Sequence, residues 1–338
     1  MDVTPIAVAA AVWGAATGLL VPRAAYRLSV EPEDDWRAAC PQGHPLTGSA
    51  GGWLGLPRCA ACASGAPSQA PPRPLAAAPG TAAAPRRPGE PTPLPGEPQA
   101  VPGEPRPLPG EQGGGRPSTA TPAHPGPAQP GPAHPEPGTR APVAEAPTAA
   151  DGPRRPVPYR VSVPVAVVTA LVCLLLGRAT GPRPELVVWL LCVPFAVLLA
   201  LVDRNVHRLP DEVTLPLAAA AAILLGAAEL APGDGGSWPT ALLGGLALGG
   251  VYFLLFLINP NGMGFGDVKL ALALGVVLGW YGWTVLFAGA FAGFLLGAVY
   301  GVGLMLMRRA NRRTAIPFGP FMITGAFLGL LLGALAAA

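Results

Sequence analysis

Two aspartates in strongly apolar surroundings are the residues best suited to do chemistry in this sequence. Asp203 ends one apolar run, and Asp267 directly precedes another. Two carboxyl groups held together in a partly dry site cannot easily both ionise, so one keeps its proton while the other accepts a proton from water. Such a pair activates water for hydrolysis without a metal. The plainer alternative for each residue is a solvated charge at the end of a helix.

Small and charged residues flank the two aspartates. Gly264 and Gly266 precede the second one, and glycine there allows close approach of the backbone or a positive φ. Lys269 follows, where its charge would act on the neighbouring carboxyl group or anchor the helix at the membrane interface. Asp211 is predicted to be a loop or orienting acid, with a purely structural role as the alternative. These four residues form the predicted active-site loop.

The composition shows what kind of protein must position these residues. Of the 338 residues, 51% are apolar and only 12% are charged, whereas soluble domains carry about 25% charge. The mean hydropathy is +0.43, which argues against a typical soluble enzyme. The formal net charge of +3 is too small to indicate a polyanionic partner, so no nucleic acid is expected. Glycine and proline number 45 each, which is typical of disorder. The composition is therefore an average over two unlike parts.

The two parts separate along the chain. Residues 67–158 hold 28 of the 45 prolines and are predicted to be a disordered Pro/Gly-rich linker. Residues 1–30 are predicted to contain the first transmembrane helix, residues 31–66 a cytoplasmic loop, and residues 159–338 a membrane core of about seven helices. The fold class is thus an all-α polytopic membrane protein with about eight transmembrane helices. The predicted spans are 3–21, 161–176, 185–201, 213–230, 238–257, 268–281, 283–305 and 316–336.

The distribution of arginine predicts how the helices are oriented. One side of the membrane carries six arginines beside the spans, namely Arg204, Arg208, Arg308, Arg309, Arg312 and Arg313. The opposite side carries only Arg178 and Arg183 between its spans, with Asp234 in a plain external turn. The arginine-rich side is therefore predicted to be cytoplasmic. Asp203 and Asp267 are both expected on that side.

Three short segments beside the predicted spans are distinctive. They are Gly264-Phe265-Gly266-Asp267, Asp203 followed by Leu209-Pro210-Asp211, and Ile316-Pro317-Phe318-Gly319-Pro320. In this order they resemble the motifs of the type IV prepilin peptidases, a family of GxGD-type aspartic membrane proteases that includes prepilin leader peptidase/N-methyltransferases. The resemblance covers about residues 1–62 and 159–338, and it leaves the proline-rich segment unexplained.

The resemblance implies an eight-helix membrane aspartic endopeptidase. Its substrates would be type IV prepilins, or the prepilin-like pseudopilins of secretion and competence systems. The protein would be embedded in the lipid bilayer of the inner membrane, and leader cleavage would occur at its cytoplasmic face. Asp203 and Asp267 would be the catalytic pair, and proteolysis would need no cofactor.

Three cysteines and a histidine lie close together in the first loop. Cys59 and Cys62 make half of a zinc knuckle, and Cys40 with His44 offers two further ligands. Family members that combine peptidase and N-methyltransferase activities carry two cysteine pairs here. In this chain Gly43 stands in the place of the fourth cysteine. The cluster is therefore predicted either to hold a structural zinc ion or to consist of free thiols in a reducing cytoplasm.

N-methylation of the new N-terminus is a second activity that the resemblance implies, with S-adenosylmethionine as methyl donor. It is assigned to the first loop, where the match is poorest. Pro22 stands where relatives carry a polar asparagine, and the loop runs into the proline-rich segment. S-adenosylmethionine is expected as a cofactor only if methylation is retained.

Two other classes of protein are left open by the sequence. A proton- or cation-coupled membrane transporter would use the same two aspartates at glycine-broken helices, near the middle of the bilayer. A non-catalytic membrane scaffold would recruit partners through the proline-rich segment, but it gives no reason for two aspartates. The sequence defines neither the particular prepilin-like substrate nor an oligomeric state.

Overall fold

The computed structural model describes residues 2–31, 34–68, 157, 159, 161–260, 263–307 and 316–337. Within these ranges the regular elements are all helices, and no β-strand occurs. They are α1 (Thr4–Leu28), α2 (Ser49–Gly52), α3 (Ala60–Ala63), α4 (Val163–Thr180), α5 (Glu185–Val206), α6 (Asp211–Glu229), α7 (Trp238–Ile258), α8 (Phe265–Gly279), α9 (Trp283–Leu306) and α10 (Gly319–Ala336). The linker predicted over 67–158 lies almost wholly outside the described residues.

Eight long helices stand where the eight spans were predicted. Seven of those found in the described residues are long and apolar enough to cross a membrane. The eighth is α8, with 15 residues, or about 22 Å of helix against a hydrocarbon layer of about 30 Å. The prediction of an all-α polytopic membrane protein is confirmed, and the chain is a multi-pass membrane protein.

Helix α1 is longer than predicted, because arginines near its end are held by the loop that follows. It continues to Leu28 and not to residue 21, with Pro22 inside it. Arg23 donates from Nε to the carbonyl oxygen of Gly52 at 2.8 Å. Arg27 donates from Nη1 to the carbonyl of Gly51 at 2.9 Å. These contacts bind the end of α1 to the loop that follows it.

Helix α1 packs tightly on α4 through two glycines. A Cβ atom at Gly14 would lie 2.6 Å from the carbonyl oxygen of Thr169, and one at Gly18 would lie 2.8 Å from Cα of Ala166. Both distances are too short for a real side chain. Glycines four residues apart therefore let the two helix backbones approach closely, as in other membrane helix pairs.

Helices α5 and α8, which carry the two aspartates, make no close backbone approach to each other within the described residues. Each packs on α6 and on α10 instead. A largely apolar cavity of about 600 Å³ lies among them, and α4 closes part of its wall. Along α5 the cavity runs from Trp189 to Arg204, and Pro320 lines it near the start of α10.

Candidate active site

Asp203 lies in the last turn of α5, and its side chain is only 4% exposed. The backbone N–H of Gly319, at the start of α10, donates a hydrogen bond of 2.9 Å to Oδ2 of Asp203. Helix α5 ends because His207 adopts a left-handed conformation, with φ of 52°. The His207 N–H still bonds the Asp203 carbonyl at 2.7 Å. The carboxyl group is thus held between the end of one helix and the beginning of another.

Asp267 is the third residue of α8 and is 9% exposed. Gly264 is the residue before the helix, and its carbonyl accepts the backbone N–H of Asp267 at 3.0 Å. A carboxyl group in the first turn lies at the positive end of the helix dipole, where negative charge is favoured. The short α8 therefore places a buried acid at its N-terminus.

One apolar cluster supports both aspartates. It contains Leu199 one turn before the first aspartate, Val268 directly after the second, and Met322 one turn after Gly319. The negative charge of Asp203 acts on Asp267, so the two carboxyl groups lie within electrostatic reach of each other. Three helix ends that are distant in sequence therefore converge on one site.

Gly266 allows α8 to begin close to the segment between α5 and α6. A Cβ atom at Gly266 would lie 3.0 Å from Cβ of Leu209 and 3.4 Å from its backbone nitrogen. Close approach is thus the role of this glycine, since neither Gly266 nor Gly264 adopts a positive φ. At Gly264 a Cβ atom would make only an ordinary contact of 3.7 Å with Oδ2 of Asp267.

The predicted active-site loop needs a correction, because most of its residues are helical. Gly266 and Lys269 lie in the first turns of α8, and Asp211 is the first residue of α6. Lys269 forms an ion pair with Asp211, not with Asp267. Its ammonium group also lies 4.8 Å from the ring centroid of Phe265. The lysine therefore joins the starts of α6 and α8.

Gly319 is a site residue that the sequence analysis did not select. It was part of the segment at 316–321 that carried the family resemblance, and this was the only signal for it. A Cβ atom there would lie 2.8 Å from Oδ2 of Asp203. Glycine is required at this position because the backbone itself contacts the carboxyl group.

The cysteines and the histidine of the first loop come together as a cluster. The ligand atoms of Cys40, His44, Cys59 and Cys62 all lie within 4.8 Å of one another. Sγ of Cys40 is 3.7 Å from Nδ1 of His44 and 3.7 Å from Sγ of Cys62. A turn brings the first two residues together, in which the Cys40 N–H bonds the His44 carbonyl at 2.8 Å.

The donor set fits a tetrahedral zinc ion. Zinc–sulfur bonds of about 2.3 Å imply sulfur atoms about 3.8 Å apart across a tetrahedron, close to the 3.7 Å between Cys40 and Cys62. Nε2 of His44 lies 2.9 Å from the carbonyl oxygen of Pro67. Because a carbonyl only accepts, Nε2 carries the hydrogen and Nδ1 offers its lone pair to the cluster. The cluster is therefore compatible with a metal ion.

The two thiols of the Cys-x-x-Cys segment differ in acidity. The backbone N–H of Cys62 hydrogen-bonds to Cys59 and is the main cause that lowers the pKa of the Cys59 thiol to about 7. Desolvation within the cluster, followed by hydrogen bonds from Cys40 and Cys59, raises the pKa of Cys62 to about 11. One thiol of the pair is thus partly ionised near neutral pH.

The fold and the site define a class of protein, a polytopic helical membrane protein with two convergent buried aspartates. Comparison with known families narrows this class. Residues 190–302 match the model of the type IV leader peptidase family, and this segment contains both Asp203 and Asp267. The predicted resemblance to the type IV prepilin peptidases is therefore confirmed for this part of the chain.

Curated relatives support the same relationship. A prepilin leader peptidase/N-methyltransferase from Aeromonas salmonicida is 34% identical over 172 residues, which cover 50% of this chain and 57% of the relative. A protein of the same name from Stutzerimonas stutzeri is 35% identical over 136 residues, covering 40% of this chain and 46% of the relative.

The relative from Bacillus subtilis, which has the same name, is 32% identical over 172 residues, covering 49% of this chain and 64% of the relative. The chain thus spans roughly half to two thirds of the length of the curated relatives that it matches. No solved structure matches it significantly.

Proposed function

We propose that this chain is a membrane aspartic endopeptidase that cleaves the leader peptide of prepilins or prepilin-like proteins. The observation that carries the proposal is the convergence of Asp203 and Asp267, both buried, in the segment that matches the leader peptidase family. The names of the relatives support a prepilin substrate. The cavity beside α5 provides an apolar surface near the aspartates.

In the proposed mechanism, the two carboxyl groups share one proton. The ionised carboxylate takes a proton from water, and the resulting hydroxide attacks the carbonyl carbon of the scissile bond. The protonated carboxyl group gives its proton to the carbonyl oxygen, which forms a neutral tetrahedral intermediate. Collapse of this intermediate moves a proton to the amine and breaks the C–N bond. The Gly319 N–H orients the Asp203 carboxyl group during these steps.

The site is proposed to face the cytoplasm at the inner membrane. The arginine asymmetry supports this orientation, since Arg204 directly follows Asp203 and Arg208 lies four residues further on. Asp203 is near the C-terminus of α5, and Asp267 is near the N-terminus of α8. A transporter would need the two acids near the middle of the bilayer, whereas the arginines beside Asp203 support a site at the cytoplasmic face.

We further propose that Cys40, His44, Cys59 and Cys62 hold a structural zinc ion. Such an ion would join the turn at residues 40–44 to α3 and so order the first loop. It would take no part in proteolysis. N-methylation, the second activity in the names of the relatives, is not part of this proposal, because Pro22 and the proline-rich segment interrupt the region to which it is assigned.

Co-expression with a prepilin-like substrate tests the peptidase proposal. We expect Asp203→Asn and Asp267→Asn each to abolish leader cleavage, because an amide can neither accept the proton from water nor share one with its neighbour. Asp234→Asn is the matched control, since this third aspartate lies in a turn between α6 and α7. Gel mobility of the substrate reports cleavage. Retained cleavage in either of the first two variants would contradict the aspartate pair.

A further inference from the structure

A second group of buried polar residues lies at the ends of α5 and α8 opposite the aspartates. Glu185, the first residue of α5, is completely buried. The hydroxyl of Tyr281, just after α8, donates a hydrogen bond of 3.3 Å to Oε1 of Glu185. Nε1 of Trp189 donates to the same hydroxyl at 3.4 Å. The two helices that carry the aspartates are therefore joined at their other ends.

Arg183 extends this group to two more helices. Its Nη1 lies 3.5 Å from Oε1 of Glu185. Its Nε donates to the carbonyl of Thr180 at 2.7 Å, and its Nη2 donates to the carbonyl of Ala334, also at 2.7 Å. These carbonyls belong to the last turns of α4 and α10, where cations are favoured by the helix dipole.

The loop between α6 and α7 covers the group. It was predicted to be a plain external turn, but a Cβ atom at Gly235 would overlap Nη1 of Arg183, and one at Gly236 would overlap the ring of Trp280. The two glycines are needed because their backbone lies directly on the buried side chains. Main chain thus covers part of the group, while the Arg183 side chain remains 13% exposed.

Several polar atoms of this group lack a hydrogen-bond partner in the described part of the chain. They are Oε2 of Glu185, Nη1 of Arg183 and Nε1 of Trp280. Buried ion pairs often add little stability compared with apolar packing of the same volume. The main contribution of the group is therefore to fix the relative positions of the helices, and not to add stability.

The position of the group at one end of α5 determines how it affects the aspartate at the other end. Between its two ends the backbone of α5 makes no close approach to that of α8, and a cavity lined by both helices lies there. Asp203 follows Glu185 by eighteen residues along α5, or about 27 Å of helix with Pro194 inside it, so a tilt of about 3° would move the aspartate by roughly 1.4 Å. Misplacement of about 1 Å can cost a factor of about 100 in rate.

We propose that Arg183, Glu185 and Tyr281 form a polar clasp that sets the position of α5 relative to α8, and thereby of Asp203 relative to Asp267. The three are positioning residues and do not contact substrate. The effect on cleavage rests on the proposed function, whereas the effect on helix position does not. The clasp can therefore be tested by two measurements, one that depends on leader cleavage and one that does not.

Tyr281→Phe removes the hydroxyl and keeps the ring, and Glu185→Gln keeps an acceptor for that hydroxyl. The full-length protein in detergent is assayed for kcat and KM with a prepilin-like substrate, and by hydrogen–deuterium exchange. We expect Tyr281→Phe to lower kcat about tenfold with KM unchanged, and to speed exchange around Asp203 and Asp267. Glu185→Gln should lower kcat by a smaller factor. Glu229→Gln is the control and should match wild type in kcat, KM and exchange. Glu229 is an exposed carboxyl at the end of α6, next to the loop that covers the group.

The outcomes separate the two proposals. If the wild-type protein does not cleave the substrate, the peptidase proposal is rejected. If exchange around the aspartates is nevertheless faster in Tyr281→Phe than in wild type, the clasp is supported. Normal kcat and normal exchange in Tyr281→Phe and Glu185→Gln would overturn the clasp. A uniform rise in exchange across all helices, with kcat and KM both altered, would also overturn it, because it would indicate general loss of stability.

Discussion

The backbone N–H of Gly319 donates a hydrogen bond of 2.9 Å to Oδ2 of Asp203, across 116 residues of sequence. This contact joins the first residue of α10 to the last turn of α5. A backbone donor has no side-chain freedom to lose, so it holds the carboxyl group in one orientation at little entropic cost. The start of α10 is thus part of the candidate active site.

Gly319→Ala should lower leader cleavage by about tenfold or more, because a misplaced carboxyl group reacts slowly. The added Cβ atom would lie 2.8 Å from Oδ2 of Asp203, so the carboxyl group must move. Cleavage rates of the purified variants are the measurement. Gly250→Ala is the matched control, since a Cβ atom on this glycine of α7 meets nothing within 4 Å. Equal rates for the two variants would mean that the contact does not position Asp203.

Removing the ion pair between Lys269 and Asp211 should change the free energy of unfolding by less than about 1 kcal/mol. The side chain of Asp211 is 54% exposed, so water screens the pair. We expect Lys269→Met and Asp211→Asn to lower cleavage by similar, small factors. A double-mutant cycle on thermal unfolding and cleavage measures both effects. A large loss in Lys269→Met alone would indicate that the lysine acts on a carboxyl group of the aspartate pair.

Purified wild-type protein should contain about one zinc ion per chain, and Cys59→Ser should lose most of it, because three remaining ligands bind zinc more weakly. Metal content measured by mass spectrometry tests this expectation. Cys192→Ser is the control, since this thiol lies in α5 outside the cluster. Near-zero zinc in both wild type and Cys59→Ser would leave the cluster as free thiols.

Replacing residues 69–156 by a short Gly/Ser linker should leave leader cleavage unchanged, because the proline-rich composition is that of a spacer. The flanks must be kept. Pro67 contacts His44, and the Tyr159 ring lies 4.7 Å from the Tyr26 ring. Cleavage by the shortened protein, at matched expression, is compared with wild type. Loss of cleavage would show that the replaced segment has a role beyond spacing.

Much of the fold could be predicted from the sequence because membrane helices leave a strong local signal. Long apolar runs predicted the eight long helices. Scarcity of acids selected Asp203 and Asp267, since few other reasons exist for such residues beside a membrane span. Each of these signals lies within about twenty residues of sequence.

Contacts between distant helix ends could not be predicted in this way. The hydroxyl of Tyr281 and the carboxyl of Glu185 meet across 96 residues, and neither residue type is unusual at the end of a membrane helix. Apolar periodicity shows that a helix exists but not which helix lies beside it. For the same reason the sequence predicts that Lys269 acts on Asp267 or anchors the helix at the membrane interface, but not that it pairs with Asp211.

The chain leaves the Cys/His cluster at Pro67 and returns to it at Val157 and Tyr159, which pack beside Cys40. Both ends of the intervening segment are thus fixed on one small surface. The entropic cost of closing such a loop grows only with the logarithm of its length, by about 0.6 kcal/mol for each doubling. Insertions and deletions there are therefore nearly neutral for the membrane helices. This position in the gene can therefore gain or lose repeats while the segment that matches the leader peptidase family keeps its fold.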